Sequence, residues 1–212
     1  MDDATSRPGD AANGTRSDLL RDDWEYLSVI ALEDFGPREF AMLDAQRVDF
    51  YGERQAFEAL RMLKVSADDP SFGYQINNYR HCLQSATLAH RAGKDAEYVA
   101  LAVLHDIGFV VAPSNHGSFA AALMGPYISP ENEWMLVHHA IFQNVHCVGH
   151  PSMDRYEREK WRGHPAFART AEFVAMFDQD AMDPNYENMP IEAFEPMIHR
   201  MFAKPPRTIP VE

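Results

Sequence analysis

The stretch Tyr98-Val99-Ala100-Leu101-Ala102-Val103-Leu104-His105-Asp106-Ile107-Gly108 decides how the rest of the chain is read. Val99 to Leu104 are six consecutive apolar residues, so a helix here is apolar all round and belongs inside a core rather than on its rim. A histidine and an aspartate then end it side by side. Burying a lone carboxylate is costly enough that the group neutralises or finds a partner. Imidazole nitrogen and carboxylate oxygen are both metal ligands, and a carboxylate has two oxygens with which to bridge two ions. The plainer alternative is a buried His–Asp hydrogen bond that fixes the helix end.

Working outward, the flanking text is also helical. Residues 76–91 have helical apolar spacing and stop at Gly93. Downstream, Ser114 or Asn115 caps a helix to Met124, Pro130 opens one from Glu131 to about His146, and residues 155–161, 165–181 and 191–202 follow. Upstream, Leu19, Leu20, Trp24, Leu27 and Ile30 recur at three- and four-residue spacing, which predicts a helix from Ser17. Two more are expected, from Pro37 to about Phe50 and from about Arg54 to Val65. Alternating strand patterns are nearly absent. The expectation is an all-α helical bundle with extra N-terminal helices, as one domain over residues 17–212 behind a disordered arm of residues 1–16.

Composition narrows the function. Hydrophobic residues are 46% and charged residues 24% of the 212, an ordinary globular balance. Asp and Glu number 32 against 19 Lys and Arg, a net charge of −13, which argues against a nucleic-acid partner. Cys82 and Cys147 form no disulfide framework and no zinc pattern. The acidic start lacks the basic and apolar regions of a signal peptide. His105 and Asp106 interrupt the longest apolar stretch, residues 99–112, which is too short to span a bilayer. A soluble, cytoplasmic protein is expected, with no membrane partner.

Ten histidines invite a search for further ligands. His81 precedes His105 by one helix and a turn. His116 starts a helix, and the pair His138 and His139 lies inside an apolar one. Asp178 falls on the face Phe167, Ala171, Val174, Asp178 and Ala181, whose other members are apolar, so its carboxylate should be buried and paired or metal-bound. Four histidines and two aspartates at buried helical positions are hard to explain without metal. His146, Cys147 and His150 have ligand-like spacing but no evident fourth ligand. Trp134, Phe142 and Trp161 could line an aromatic pocket or simply pack the core.

The ordered set His81, His105-Asp106, His116, His139 and Asp178 on helices resembles the HD-domain superfamily of metal-dependent enzymes. The specific text is Ile76-Asn77-Asn78-Tyr79-Arg80-His81-Cys82-Leu83-Gln84-Ser85-Ala86, followed by residues 100–108, and the resemblance covers a metal-binding core of about 74–181. The text looks most like the mixed-valent diiron oxygenase branch, which includes myo-inositol oxygenase and the oxygenases that cleave hydroxylated aminophosphonates. That resemblance implies two Fe ions in an Fe(II)/Fe(III) pair. His81, His105, Asp106 and Asp178 would hold one, and Asp106, His116 and His139 the other. His139 is preferred to His138 because the Ala-Ile-Phe after it matches the family helix better, and His138 stays open. It also implies O2-dependent oxidation or C–X bond cleavage of a small hydroxylated or amino-substituted molecule. Phosphohydrolases of the superfamily share the signature, so a metal-dependent enzyme acting on a small phosphoester or nucleotide with Mn, Mg, Ni or Zn is the alternative. A non-enzymatic domain that uses metal for stability ranks last, because six ligands exceed what stability needs.

The sequence departs from that branch where substrate is held. The position after HD-x-Gly carries Lys in myo-inositol oxygenase and His in the phosphonate cleavers, and here it is Phe109. Gln143 and Ala175 stand where the phosphonate cleavers keep Lys and Arg. A neutral or cationic substrate is therefore expected, unless a cation from outside the motif, such as Arg80, Lys160 or Arg162, supplies a clamp. Tyr74, seven residues before His81, would point a phenol at the metals if the helix extends that far, and is the catalytic candidate beside Asp106. A Tyr packing on the core from a helix-entry loop is the other reading.

Overall fold

A computed structural model describes residues 21–50 and 53–207, so the arm of residues 1–16 and the start of the first expected helix lie outside the described residues. The chain divides into two compact units, Met1–Tyr51 and Gly52–Glu212.

In the first unit the described part of the expected N-terminal helix is not helical. Residues 21–31 are irregular. The Glu25 backbone is bonded through both its N–H and its C=O to the Gln46 side chain, at 2.6 and 3.1 Å, instead of to a helical turn. Apolar spacing is only half of a helix signal, because the backbone must also have no better partner. Helix α1 (Pro37–Arg47) starts where expected, with Pro at its first position and the Glu39 carboxylate accepting from Gly36 N at 3.0 Å. A 3-10 turn, Val48–Phe50, ends it and sets Phe50 edge-on to Trp24 at 5.9 Å.

The second unit is an all-α bundle with no strand among its described residues. Its helices are α2 (Glu53–Val65), α3 (Asn78–Arg91), α4 (Ala96–Leu104), α5 (His116–Met124), α6 (Pro130–Gln143), α7 (Phe167–Phe173) and α8 (Glu195–Phe202). Side-chain caps explain three of the starts. Asn77 accepts from Arg80 N at 3.1 Å, Asp95 from Tyr98 N at 2.9 Å, and Ser129 from Asn132 N at 3.2 Å. Asn115 makes no such bond, so α5 opens without the expected side-chain cap.

Helix α4 is the axis of the bundle. Every residue from Tyr98 to Leu104 is buried, with α3, α6 and α8 packed around it. Each of Val99, Leu101, Val103 and Leu104 contributes about 1.5–3 kcal/mol by burial. That is enough to hold a polar pair at the helix end inside the protein. The expected helix over 165–181 is realised in two parts, α7 and a wider π-helical turn, Val174–Asp178, closed by Gln179 N to Val174 O at 3.0 Å. No helix among the described residues is long and apolar enough to cross a membrane.

Candidate metal centre

Six side chains from five segments meet at the end of α4. His81 comes from α3, His105 and Asp106 from the end of α4, His116 from the start of α5, His139 from α6 and Asp178 from the π-helical turn. On a continuous helix, neighbours such as His105 and Asp106 would diverge by about 100°. Here the helix ends at Leu104 and tightens into turns, with Ile107 N on Leu104 O at 3.1 Å and Phe109 N on Asp106 O at 2.9 Å, so both side chains reach one place. The π-helical turn does the same for Asp178, burying both it and Phe177.

Asp106 sits between two pairs of imidazoles. Its Oδ1 lies 3.3 Å from His116 Nε2 and 3.1 Å from His139 Nε2. Its Oδ2 lies 3.7 Å from both His81 Nε2 and His105 Nε2. Asp178 Oδ1 closes the second group, 3.3 Å from His81 Nε2 and 3.6 Å from His105 Nε2. The two nitrogens within each pair are 3.1 Å apart for His81 and His105, and 3.2 Å for His116 and His139.

The protons on these rings are fixed by their far sides. Each Nδ1 points at a backbone carbonyl: Ala181 O for His81 at 3.0 Å, Ala102 O for His105 at 2.9 Å, Pro113 O for His116 at 3.1 Å and Leu136 O for His139 at 2.7 Å. A carbonyl oxygen only accepts, so every Nδ1 must donate, and the neutral ring then presents a bare lone pair at Nε2. With every ring neutral, four lone pairs and the carboxylate oxygens face one another with no donor between them. Neither oxygen of Asp178, which is 0% exposed, has a hydrogen bond among the described residues. A cation, whether a metal ion or a proton taken up at Nε2, satisfies such a set, and neutral imidazoles oriented by second hydrogen bonds are what a metal requires. The buried groups could hold a metal ion.

Titration points the same way. Burial disfavours a charged His81, but the carboxylates of Asp178 and Asp106 outweigh it and raise its pKa to about 9. Burial likewise opposes charge on His139, and the Asp106 carboxylate raises its pKa all the same. Burial pushes the Asp106 and Asp178 carboxyls up, yet the facing imidazoles hold both below the usual carboxylate range. At His116 desolvation dominates and the pKa falls. The cluster draws positive charge to itself.

The other candidates fall outside it. His138 turns to the far side of α6, donates to Trp134 O at 2.8 Å and stacks on the Trp134 ring at 3.8 Å, so His139 is the one brought in. Trp134 stacks on His164 as well, at 4.1 Å, and Phe142 is fully buried. With Trp161 edge-on to Trp134 at 6.1 Å, those aromatics pack on one another and do not line a pocket at the cluster. His150 Nδ1 accepts from Ser152 N and Met153 N in a local turn, which uses it up as a ligand.

A pocket enclosing about 500 Å3, part of it open solvent, reaches His81 and Asp106. Phe109 and Gln143 line it, as the sequence led one to expect, and Ala175 does not. Tyr74 lines it too, but from a loop. Helix α3 starts only at Asn78, so the helical route by which Tyr74 was to reach the metals does not exist. Sequence reasoning missed Phe72, Asn78 and Met182 on the same wall. Asn78 donates to the Asp106 carbonyl at 2.9 Å, and its place beside Asn77, a helix cap, was the one available signal. No family model matches the chain, and a search of the curated proteins also returns no match.

Proposed function

We propose that the cluster holds two iron ions bridged by Asp106, with His81, His105 and Asp178 completing one site and His116 and His139 the other. The protein would be an O2-dependent diiron oxygenase that oxidises, or cleaves a C–X bond of, a small hydroxylated or amino-substituted organic molecule. The observation that supports this most is the division of Asp106, one oxygen toward each histidine pair. Iron and this reaction class follow the resemblance to the mixed-valent HD oxygenases. When bound, the iron pair would supply redox equivalents and Lewis acidity toward O2 and a substrate oxygen.

The chain's own residues supply the rest. The Nδ1–carbonyl bonds fix ring orientation before any ion arrives, which limits reorganisation. The buried walls keep water from His105, His139 and Asp178, while His81 and Asp106 border the pocket and give substrate its approach. Among the described residues Tyr74 is the only ionisable side chain lining that pocket besides His81 and Asp106, and its phenolic oxygen can hold or return a proton.

The test is protein purified from iron-supplied cells, assayed for metal per chain, for the spin signal of a mixed-valent pair and for O2 uptake with polyols, amino alcohols and hydroxyphosphonates. Two irons, that signal and substrate-dependent O2 uptake are expected. Tyr74→Phe should keep its iron and lose turnover by about tenfold or more. Hydrolysis of phosphoesters with Mn, Mg, Ni or Zn and no O2 uptake would replace this reading with the phosphohydrolase one.

A further inference from the structure

The wall of the pocket away from the cluster is built in an unusual way. It comes largely from the loop between α2 and α3, where Phe72 has φ 53° and Gly73 φ 99°. Left-handed backbone is ordinary for glycine and disfavoured for a bulky L-residue. Phe72 recovers little by burial, since it is 63% exposed. Among the described residues its ring partner is Phe109, with centroids 6.2 Å apart and planes tilted by 59°. Phe109 in turn lies 5.6 Å from the His116 ring. The loop thus holds an aromatic side chain at the mouth in a strained conformation that the packing of the protein does not explain, and such strain concentrates where a ligand is gripped.

Charge narrows the ligand. Among the described residues no Lys or Arg lines the pocket. The cations that could have swung in are engaged elsewhere: Arg80 donates to Pro184 O at 2.8 Å, Lys160 pairs with Glu157 at 3.1 Å, and Arg162 pairs with Glu159. An anionic group lodged against Phe72 and Phe109 would lose its water and gain no counter-charge. An alkyl or alkylammonium group would gain from the ring faces instead.

We infer that this pocket takes a small molecule whose end away from the cluster is a non-anionic alkyl group seated on the Phe72 and Phe109 rings, and that Phe72 determines that specificity. The inference rests on the reading above only in that the cluster receives the molecule's other, oxygen-bearing end. It excludes phosphonate-tipped and phosphate-tipped substrates. It admits both a tert-butyl-like and a trimethylammonium-like tip, whose shared chemistry is a methyl-covered surface of similar size.

Three alcohols of one length separate the cases: choline, its uncharged tert-butyl isostere, and hydroxyethylphosphonate. Their binding to the full chain, with metal content measured on the same sample, is read by calorimetry. The first two should bind at least tenfold more tightly than the phosphonate, and choline ahead of its isostere would assign the gain to cation–π attraction. Phe72→Gly should weaken both by about tenfold while leaving metal content unchanged and the melting temperature equal or higher, because glycine is at ease at that φ. A merely structural Phe72 would lower the melting temperature and leave affinity alone. Phe72→Lys should bring the phosphonate to the front. A phosphonate preferred by the parent chain, three equal affinities, no binding of any alcohol, or no effect of Phe72→Gly would each overturn the inference. Failure to load metal would instead count against the diiron reading, and the ranking measured on the metal-free chain would still decide this one.

Discussion

Gly117 is where the histidine cluster can be opened by a single methyl group. It follows His116 in α5, and a Cβ built there would stand 2.3 Å from Leu136 O on α6 and 3.2 Å from the His139 ring. The first contact is with backbone, so no side chain can swing aside. Ordinary van der Waals separation begins near 3.4 Å, and α5 and α6 must therefore part by at least about 1 Å in Gly117→Ala. Leu136 O is also the carbonyl that takes the His139 Nδ1 proton. Parting the helices separates His116 from His139, now 3.2 Å apart at Nε2, and His139 from Asp106. Metal sites tolerate errors of only about 0.2 Å in ligand distance.

The group made by His81, His105 and Asp178 stands on α3, α4 and the π-helical turn and does not feel the new methyl directly. On the two-ion proposal, Gly117→Ala should therefore lose the ion at His116 and His139 and keep the other. Overpacking of this kind costs about 1–3 kcal/mol. The better helix propensity of alanine returns about 0.5–1 kcal/mol at most. The net loss should lower the melting temperature by roughly 2–4 °C per kcal/mol in a chain of this size. Metal analysis and a thermal melt check both parts. Gly163→Ala is the control, because a Cβ there has nothing within 4 Å. Full metal content with an unchanged melting temperature in Gly117→Ala would refute the claim that this close approach sets the geometry of His116 and His139.

Ligand removal should be graded. Asp106→Ala takes a ligand from both groups and an anion from the cluster, so metal analysis should find most metal gone, whereas His116→Ala should strip mainly one ion; equal metal content in Asp106→Ala and the parent chain would defeat the bridging role. The chelated protein should also respond to pH through His81. Its folded pKa of about 9 lies above the ordinary imidazole value of 6.5, so its contribution to stability is full below about pH 6.5 and is lost as the pH rises through about 9. Asp106 and Asp178, held low, act oppositely and lose their contribution on acidification below the usual carboxylate range. Urea titrations of the chelated chain from acid to alkaline pH check this, and His81→Asn should remove the alkaline loss.

Much of the site was legible because burial and polarity conflict in the sequence. His105 and Asp106 interrupt an apolar run, and Asp178 stands alone on an apolar face; both conflicts are resolved by the cluster. The choice of His139 over His138 was not readable from spacing, since two adjacent residues on one helix differ only in which neighbour each meets. The aromatic residues Trp134, Phe142 and Trp161 have the composition of a pocket, but His138 and His164 fill the faces that a ligand would need. Phe72 gave no signal at all. Its left-handed backbone is imposed by the path of the loop, and nothing in the text Pro70-Ser71-Phe72-Gly73 separates that from an ordinary turn at the glycine. Residues 21–31 failed for the reverse reason, because a helical pattern was present and Gln46 offered the backbone a better partner.

The four imidazoles are not held alike, and the difference sets where the protein would depend on a bound cation. His105, His116 and His139 each donate from Nδ1 to the carbonyl three residues earlier, so their own helix ends fix them. His81 donates instead to Ala181 O, a hundred residues away and three beyond Asp178. The Asp178 carboxylate has no hydrogen bond among the described residues, so beyond side-chain packing the π-helical turn is tied to α3 through the His81–Ala181 bond and through whatever positive charge His81 and Asp178 share. Chelation leaves at most a proton on His81 in place of a metal ion, so the buried carboxylate faces less positive charge, and the cheapest relief is for the turn to open, since α4 is held by apolar burial on all sides. Amide exchange in residues 174–181 should therefore quicken on chelation by tenfold or more, a larger change than in α4 or in the His139 turn of α6. An even increase across all of these segments, measured by hydrogen exchange on loaded and chelated protein, would show that the cation supports the whole bundle rather than this seam.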